Sequence, residues 1–177
     1  FDLCGIAPAT GMPELVRIHD WIAAGHHGEM RYLERSADVR ADVTRFLPGA
    51  RSVIVTATNY YTGPDPSTRP AAEVARYARG EDYHLVLQQR LDALLAWLRD
   101  TATQPFDATV FVDKHWVQER VLAAYAGLGW IGKHSLLINE AAGSWLLLAG
   151  IATTLPLAPD TLVADQCGAC TLCLDAC

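Results

Sequence analysis

Long hydrophobic runs are missing from this chain. The longest, Trp145 to Ala152, is far too short to cross a bilayer, so no membrane span is expected. An excess of positive charge is missing as well: 14 lysines and arginines stand against 20 aspartates and glutamates, a formal net charge of −6. Nucleic-acid binding draws on a basic surface, so such a partner would need surface outside this stretch. No basic and apolar segment opens the chain at Phe1, and no secretory signal is expected. Before residue 167 the only cysteine is Cys4. That excludes a disulfide scaffold there, and Cys4 is expected to be a small buried hydrophobe. Repeats and low-complexity tracts are absent too.

What is present is concentrated at the far end. Four of the five cysteines fall in the last eleven residues, as Cys167, Cys170, Cys173 and Cys177. Their C-x2-C-x2-C-x3-C spacing is that of a bacterial ferredoxin run, in which three thiolates hold one four-iron cluster and the fourth reaches a second cluster. Gly168 and Ala169 keep the loop small and tight. Structural zinc usually pairs two separated cysteine knuckles, and no second pair exists. Clustered thiols of this kind fit a reducing cytoplasm better than secretion. A chain that begins at Phe1 and stops on a ligand cysteine is expected to be a piece of a longer protein.

With 51% hydrophobic and 19% charged residues, the chain has apolar material for one substantial core. Residues 1–160 are expected to form one domain and residues 161–177 the start of another. In order, Phe1 to Ala7 reads as a strand. A helix opens at Pro13, with Leu15, Ile18 and Ile22 on one face, and ends at Gly25. Two short helices lie between Met30 and Phe46. A strand buried on both faces covers Arg51 to Tyr60. Gly63 to Pro70, with three prolines, reads as a loop, and Val74 to Ala78 as a short strand. Asp82 caps a helix whose stripe is Tyr83, Leu87, Leu91, Leu94 and Leu98. Ala108 to Val112 is a strand, Gln118 to Ala126 a helix, and Leu136–Ile138 with Ser144–Ala152 a hairpin. The pattern is mixed α/β, or α+β, around one sheet.

Asp113 follows the strand Ala108 to Val112 directly. At the carboxyl end of a strand in an open α/β sheet it would face a ligand crevice, and partial burial would suit it to donate a proton. A helix cap or an ion pair with Arg120 fits the pattern equally. Tyr83 and His84 open the long helix, where side chains and free amides meet ligands. Gly127, Gly129 and Gly132 break the chain before Lys133, without a preceding strand, so a dinucleotide fingerprint is not supported. These glycines allow close backbone approach to a ligand or only turn the chain. Arg40 is a candidate for an anion or cofactor contact. His19, His26, His27 and His115 show no metal spacing.

Five motifs then occur in order: Ala75-Arg-Tyr-Ala-Arg-Gly-Glu-Asp-Tyr83-His84; Val112-Asp113 with Glu119-Arg120; Ala126-Gly-Leu-Gly-Trp-Ile-Gly-Lys133-His134; Gly143-Ser144-Trp145; and the cysteine run. This order resembles the epoxyqueuosine reductase family. The resemblance implies a nitroreductase-like sheet domain that binds cobalamin, followed by a ferredoxin-like domain with two 4Fe-4S clusters. It implies reduction of epoxyqueuosine to queuosine in tRNA, with electrons passed through the clusters and a proton given by an aspartate. Asp113 matches that aspartate, and Tyr83, His84 and Arg120 match residues lining the family's active site. Arg40, Ala75 and Asp113, with the backbone around Lys133 to Leu137 (Lys133, Ser135 and Leu137 among them) and at Leu148, match corrin-contacting positions. Cys167, Cys170 and Cys173 match ligands of one cluster, and Cys177 a ligand of the other. The chain departs from the family where Lys114-His115-Trp116 replaces Thr-Gly-Pro after the aspartate, and where Ala149-Gly150 replaces Gly-Glu.

A cytoplasmic, monomeric reductase is therefore expected, served by an external electron donor and meeting tRNA through parts outside this stretch. Two other readings stay open: an iron–sulfur electron-transfer module without local catalysis, and a corrinoid reductase on another substrate, akin to the reductive dehalogenases. The 160-odd residues ahead of the cysteines favour an enzyme over a carrier.

Overall fold

A computed structural model describes residues 1–63 and 74–176 of the chain. The core is a four-stranded sheet in the order β1-β2-β6-β3, built from β1 (Leu3–Pro8), β2 (Ser52–Asn59), β6 (Leu146–Thr153) and β3 (Ala108–Val112). Every pairing is antiparallel, with Ala7 opposite Val53, Ile54 opposite Ile151 and Val110 opposite Ile151. The parallel-sheet crevice argument for Asp113 therefore does not apply; what places Asp113 is the turn after β3.

The β-branched run of β2 is buried from Ser52 to Ala57 because both faces of the sheet are covered. Alternation sends Val53, Val55 and Ala57 to one side and Ile54 to the other. The first side packs with Phe111 and with Leu122 and Ala123 of α5 (Glu119–Tyr125). The second packs with Val112, Ile151 and the stripe Leu87, Leu91 and Leu95 of α4 (Tyr83–Thr101). The result is a helix–sheet–helix sandwich, which is the mixed α/β class expected.

Around this core the expected elements appear with several shifts. Residues after Pro13 form turns, and α1 begins only at Arg17 (Arg17–Ala23). It ends where expected: the N–H of Gly25 donates to Ile22 and that of His26 to Trp21, with Gly25 at φ +75°, a left-handed cap that glycine adopts without strain. The two short helices are α2 (Arg31–Ala41) and α3 (Val43–Phe46). Val74 to Ala78 is not a strand; Arg76–Ala78 form a single 3-10 turn. Cys4 is exposed rather than buried, because β1 is an edge strand and its even positions point away from the core. The proline loop expected at Gly63 to Pro70 lies outside the described residues beyond Gly63.

The largest correction concerns the expected hairpin of Leu136–Ile138 with Ser144–Ala152. β5 (Leu137–Ile138) pairs with β4 (Trp130–Ile131) in a separate two-stranded ribbon, while β6 inserts between β2 and β3. Gly129 explains the ribbon. Its φ is +151°, and a Cβ there would collide with the carbonyl of Ile138, so the close approach of β4 to β5 requires glycine. The glycine-rich run thus serves the chain's own backbone. The final residues carry one short helix, α6 (Leu172–Asp175).

Candidate active site

The turn after β3 puts Asp113 in the left-handed region, at φ +33°. An aspartate tolerates this better than most residues, and His115, two residues on, helps hold the turn: its Nδ1 lies 3.0 Å from both the N and the carbonyl oxygen of Val112. The unusual Lys114-His115-Trp116 segment thus pins its own turn through His115, while Lys114 and Trp116 are exposed. The partial burial expected of Asp113 is not found; its side chain is 60% exposed.

Two residues of the first turn of α4 converge on that carboxylate. Asp82 caps the helix by accepting from the His84 N–H at 2.9 Å. This fixes the helix start so that the Tyr83 hydroxyl donates to Asp113 Oδ2. His84 Nε2 lies 3.3 Å from the same oxygen, and Nδ1 lies 2.7 Å from Asp82 Oδ1. The two rings stack, centroids 4.1 Å apart. Burial, followed by the hydrogen bond to Asp113, pushes the Tyr83 phenol well above its ordinary range, so it remains a donor. The hydrogen bonds from His84 hold Asp82 below the usual carboxylate value. A histidine between two carboxylates can donate to both only as imidazolium, so the trio Asp82–His84–Asp113 forms a short path for a proton. Asp113 is neither a helix cap nor, among the described residues, an ion-pair partner of Arg120.

α5 borders a cavity of about 580 Å³ whose lining includes Arg17, Arg40, Glu119, Arg120 and Ser135 beside apolar side chains such as Trp21 and Ile131. Arg40 is held by Nε donating to Ser36 Oγ at 3.0 Å, and Arg120 by Nη1 donating to the Ser135 carbonyl at 2.6 Å. Ser135 sits at φ +65° in the β4–β5 ribbon loop. Of the expected corrin contacts, Arg40 and Ser135 share this cavity. Lys133 points elsewhere, donating to the carbonyls of Gly168 and Cys170 at 2.8 and 2.9 Å. Leu137 is in the core, Leu148 is half-buried on β6, and Ala75 is exposed before the 3-10 turn; none of these three lines the cavity.

Glu119 was visible in the sequence only as a neighbour of Arg120, and its placement is new. Its Oε1 is buried without a hydrogen-bond partner. Burial pushes its carboxyl up to about 7, against its own backbone N–H and the positive Arg40 and Arg120 and with Asp113. An open, amphipathic cavity with an unsatisfied buried oxygen and the guanidinium groups of Arg17, Arg40 and Arg120 suits one edge of a large ligand bearing amides and a negative charge, which cobalamin is. The cysteines Cys167, Cys170 and Cys173 are free, and Cys177 lies outside the described residues. The Cys170 N–H closes a turn onto the Cys167 carbonyl at 2.9 Å, and Cys173 lies in α6. Among the described residues no three metal-binding side chains converge, yet three free thiols on one turn and one short helix are donors of the type iron–sulfur clusters use. No helix among the described residues is long and apolar enough to cross a membrane.

The family model for epoxyqueuosine reductase QueG, DUF1730, matches residues 40–114, a span that includes Arg40, Tyr83, His84 and Asp113. The epoxyqueuosine reductase of Cyclobacterium marinum is 41% identical over 180 aligned residues, which take in 100% of this chain and 58% of that protein. That of Gloeobacter violaceus is 42% identical, over 100% of this chain and 55% of its own length. A crystal structure of an epoxyqueuosine reductase with an epoxyqueuosine-modified tRNA stem loop superposes with a TM-score of 0.82 at 28% identity, over 98% of this chain and 47% of that one. The chain thus spans a little over half the length of the curated relatives it matches. The sequence over 100% of this chain, and the fold over 98% of it, are similar to those of epoxyqueuosine reductases.

Proposed function

We propose that this chain is the cobalamin-binding, catalytic part of a reductase that converts epoxyqueuosine to queuosine in tRNA. Residues 1–160 form the nitroreductase-like domain, and residues 161–177 begin a ferredoxin-like domain. The observation that carries this reading is the convergence of Tyr83 and His84 on Asp113, whose charge also bears on Glu119 in the lining of the cavity that holds Arg40 and Arg120. Opening an epoxide to an alkene with loss of water takes two electrons and two protons. Bound cobalamin would supply the reducing power, fed from an external donor through 4Fe-4S clusters held by Cys167, Cys170, Cys173 and, for the second cluster, Cys177.

The side chains of this chain manage one of the two protons. Asp113 delivers it to the departing oxygen, and solvent, which reaches the 60% exposed Asp113 side chain, supplies the other as the oxygen leaves as water. Tyr83 fixes the orientation of the Asp113 carboxyl by donating to Oδ2. His84, held by Asp82, returns a proton to Asp113 between turnovers. Arg120, tied to the Ser135 carbonyl, presents its remaining N–H groups to the cavity. Arg40 and Ser135 meet the corrin directly. Ala75 and the backbone around Lys133 to Leu137 and at Leu148 would be further contacts of the corrin outside this cavity.

The test uses the full-length protein under anaerobic conditions, with cobalamin, reconstituted clusters, a reductant and tRNA carrying epoxyqueuosine. Nucleoside mass spectrometry should find queuosine. Absence of conversion in preparations that hold cobalamin and iron would overturn the reading, and would favour a different substrate, as the altered loop after Asp113 permits.

A further inference from the structure

Glu119 occupies the first turn of α5 and lines the cavity together with Arg40 and Arg120. Neither arginine forms an ion pair with it among the described residues: Arg40 Nε is bonded to Ser36 and Arg120 Nη1 to Ser135. Its Oε1 is shielded from solvent and unpartnered. A buried polar atom in that state costs stability, and the cost is recovered only if something in the filled cavity bonds to it. What that something is follows from the carboxyl group. A neutral carboxylic acid offers one O–H donor and one carbonyl acceptor side by side. Its complement is a group with an N–H and a C=O in the same arrangement, which is a primary carboxamide.

We propose that Glu119 is a binding residue of this cavity and that its carboxyl group pairs with a primary carboxamide on the edge of the bound ligand. The proposal rests on the cobalamin reading, since the corrin edge carries acetamide and propionamide arms. The groups facing Glu119 are consistent with it. Burial disfavours the carboxylate most, and Asp113 adds to it, while Glu119's own backbone N–H, Arg40 and Arg120 favour it; Glu14 and Arg17 line the same cavity. The balance leaves the acid protonated up to about 7, so the pair can form at neutral pH and is lost in alkali.

The experiment measures cob(II)alamin retention by the full-length protein, by anaerobic ultrafiltration and absorbance, at about pH 6 and about pH 8.5. Wild type should bind about tenfold more weakly at the higher pH, the worth of one lost hydrogen-bonded pair. Glu119→Gln carries a permanent donor and acceptor, so it should bind as wild type does at the lower pH and show no dependence on pH. Glu119→Leu should bind about tenfold more weakly at both. If Glu119→Leu fails to fold, the pH profiles of wild type and Glu119→Gln decide alone. Retention that is the same in all three proteins and at both pH values overturns the inference and leaves the cobalamin reading standing. No retention by wild type overturns both.

Discussion

The Lys133 ammonium donates to the Cys170 carbonyl at 2.9 Å, as well as to the Gly168 carbonyl at 2.8 Å. Through this one side chain the β4–β5 ribbon grips the turn that carries the cysteines. A cation on two carbonyls forms charge-assisted bonds, and those bonds fix the turn between the first and second thiols.

Lys133→Met keeps the aliphatic stem and removes both bonds. The sandwich core lies elsewhere, so the melting temperature should barely move. Iron held by the full-length protein should become easier for a chelator to strip, by about 10- to 100-fold in affinity, the usual worth of a group that orients metal ligands. Unchanged chelation would mean that the cysteine turn is set by its own backbone.

Tyr83→Phe deletes the hydroxyl that donates to Asp113 while keeping the ring stacked on His84. A hydrogen bond to the neutral acid that gives the proton is worth about 0.5–1.5 kcal/mol, so single-turnover rates should fall by roughly 2- to 10-fold. Cobalamin binding should not change. An unaltered rate would remove Tyr83 from the orientation of the carboxylate.

Local chemistry was the legible part of this molecule. The β-branched run of β2, the leucine stripe of α4 and the Asp82 cap are each decided by neighbours within one element, and each stands where the sequence put it. Pairing was not legible. Leu137–Ile138 and Leu146–Thr153 look like consecutive hairpin strands, but Gly129 lets β4 approach β5 so closely that the short strand is taken by the ribbon. The same holds at the site. Tyr83, His84 and Asp113 were recognised individually, and their meeting depends on β3 ending beside the start of α4. The exposure of Asp113 and the orphaned oxygen of Glu119 are products of packing that no residue pattern encodes.

Two glycine substitutions separate backbone strain from collision. Gly25→Ala forces a left-handed alanine into open space, costing about 1–2 kcal/mol. Gly129→Ala adds a clash with the Ile138 carbonyl, and it should cost more, by about 1–3 kcal/mol beyond that. Urea unfolding measures both. Equal losses would show that the ribbon yields without resistance.

Glu119 predicts a pH dependence of stability. Its folded pKa is raised from 4.5 to about 7, so the folded chain binds the proton more tightly than the unfolded one. The stabilisation is complete below about 4.5 and is lost as pH rises to about 7, levelling off above it. The shift corresponds to about 3 kcal/mol. The difference in unfolding free energy between wild type and Glu119→Gln should therefore move against wild type across that window by an amount of that order. A flat difference would place the Glu119 carboxyl in water.

Asp113 carries the most direct test, because delivery and resupply of the proton fall to different residues. Asp113→Asn keeps the shape and still accepts from Tyr83, but it has no acidic proton to give. Turnover by the full-length protein should fall by about two to four orders of magnitude, the range for a general acid. Cobalamin and iron contents should stay as in wild type; loss of cobalamin would make Asp113 a binding residue instead. His84→Gln leaves Asp113 able to give one proton and removes its resupply from the ring 3.3 Å away. A single turnover should then proceed at close to the wild-type rate, while repeated turnover slows by about tenfold or more. Equal losses in the two regimes would mean that His84 acts within the chemical step, and near-normal turnover by Asp113→Asn would remove the carboxyl group from the mechanism.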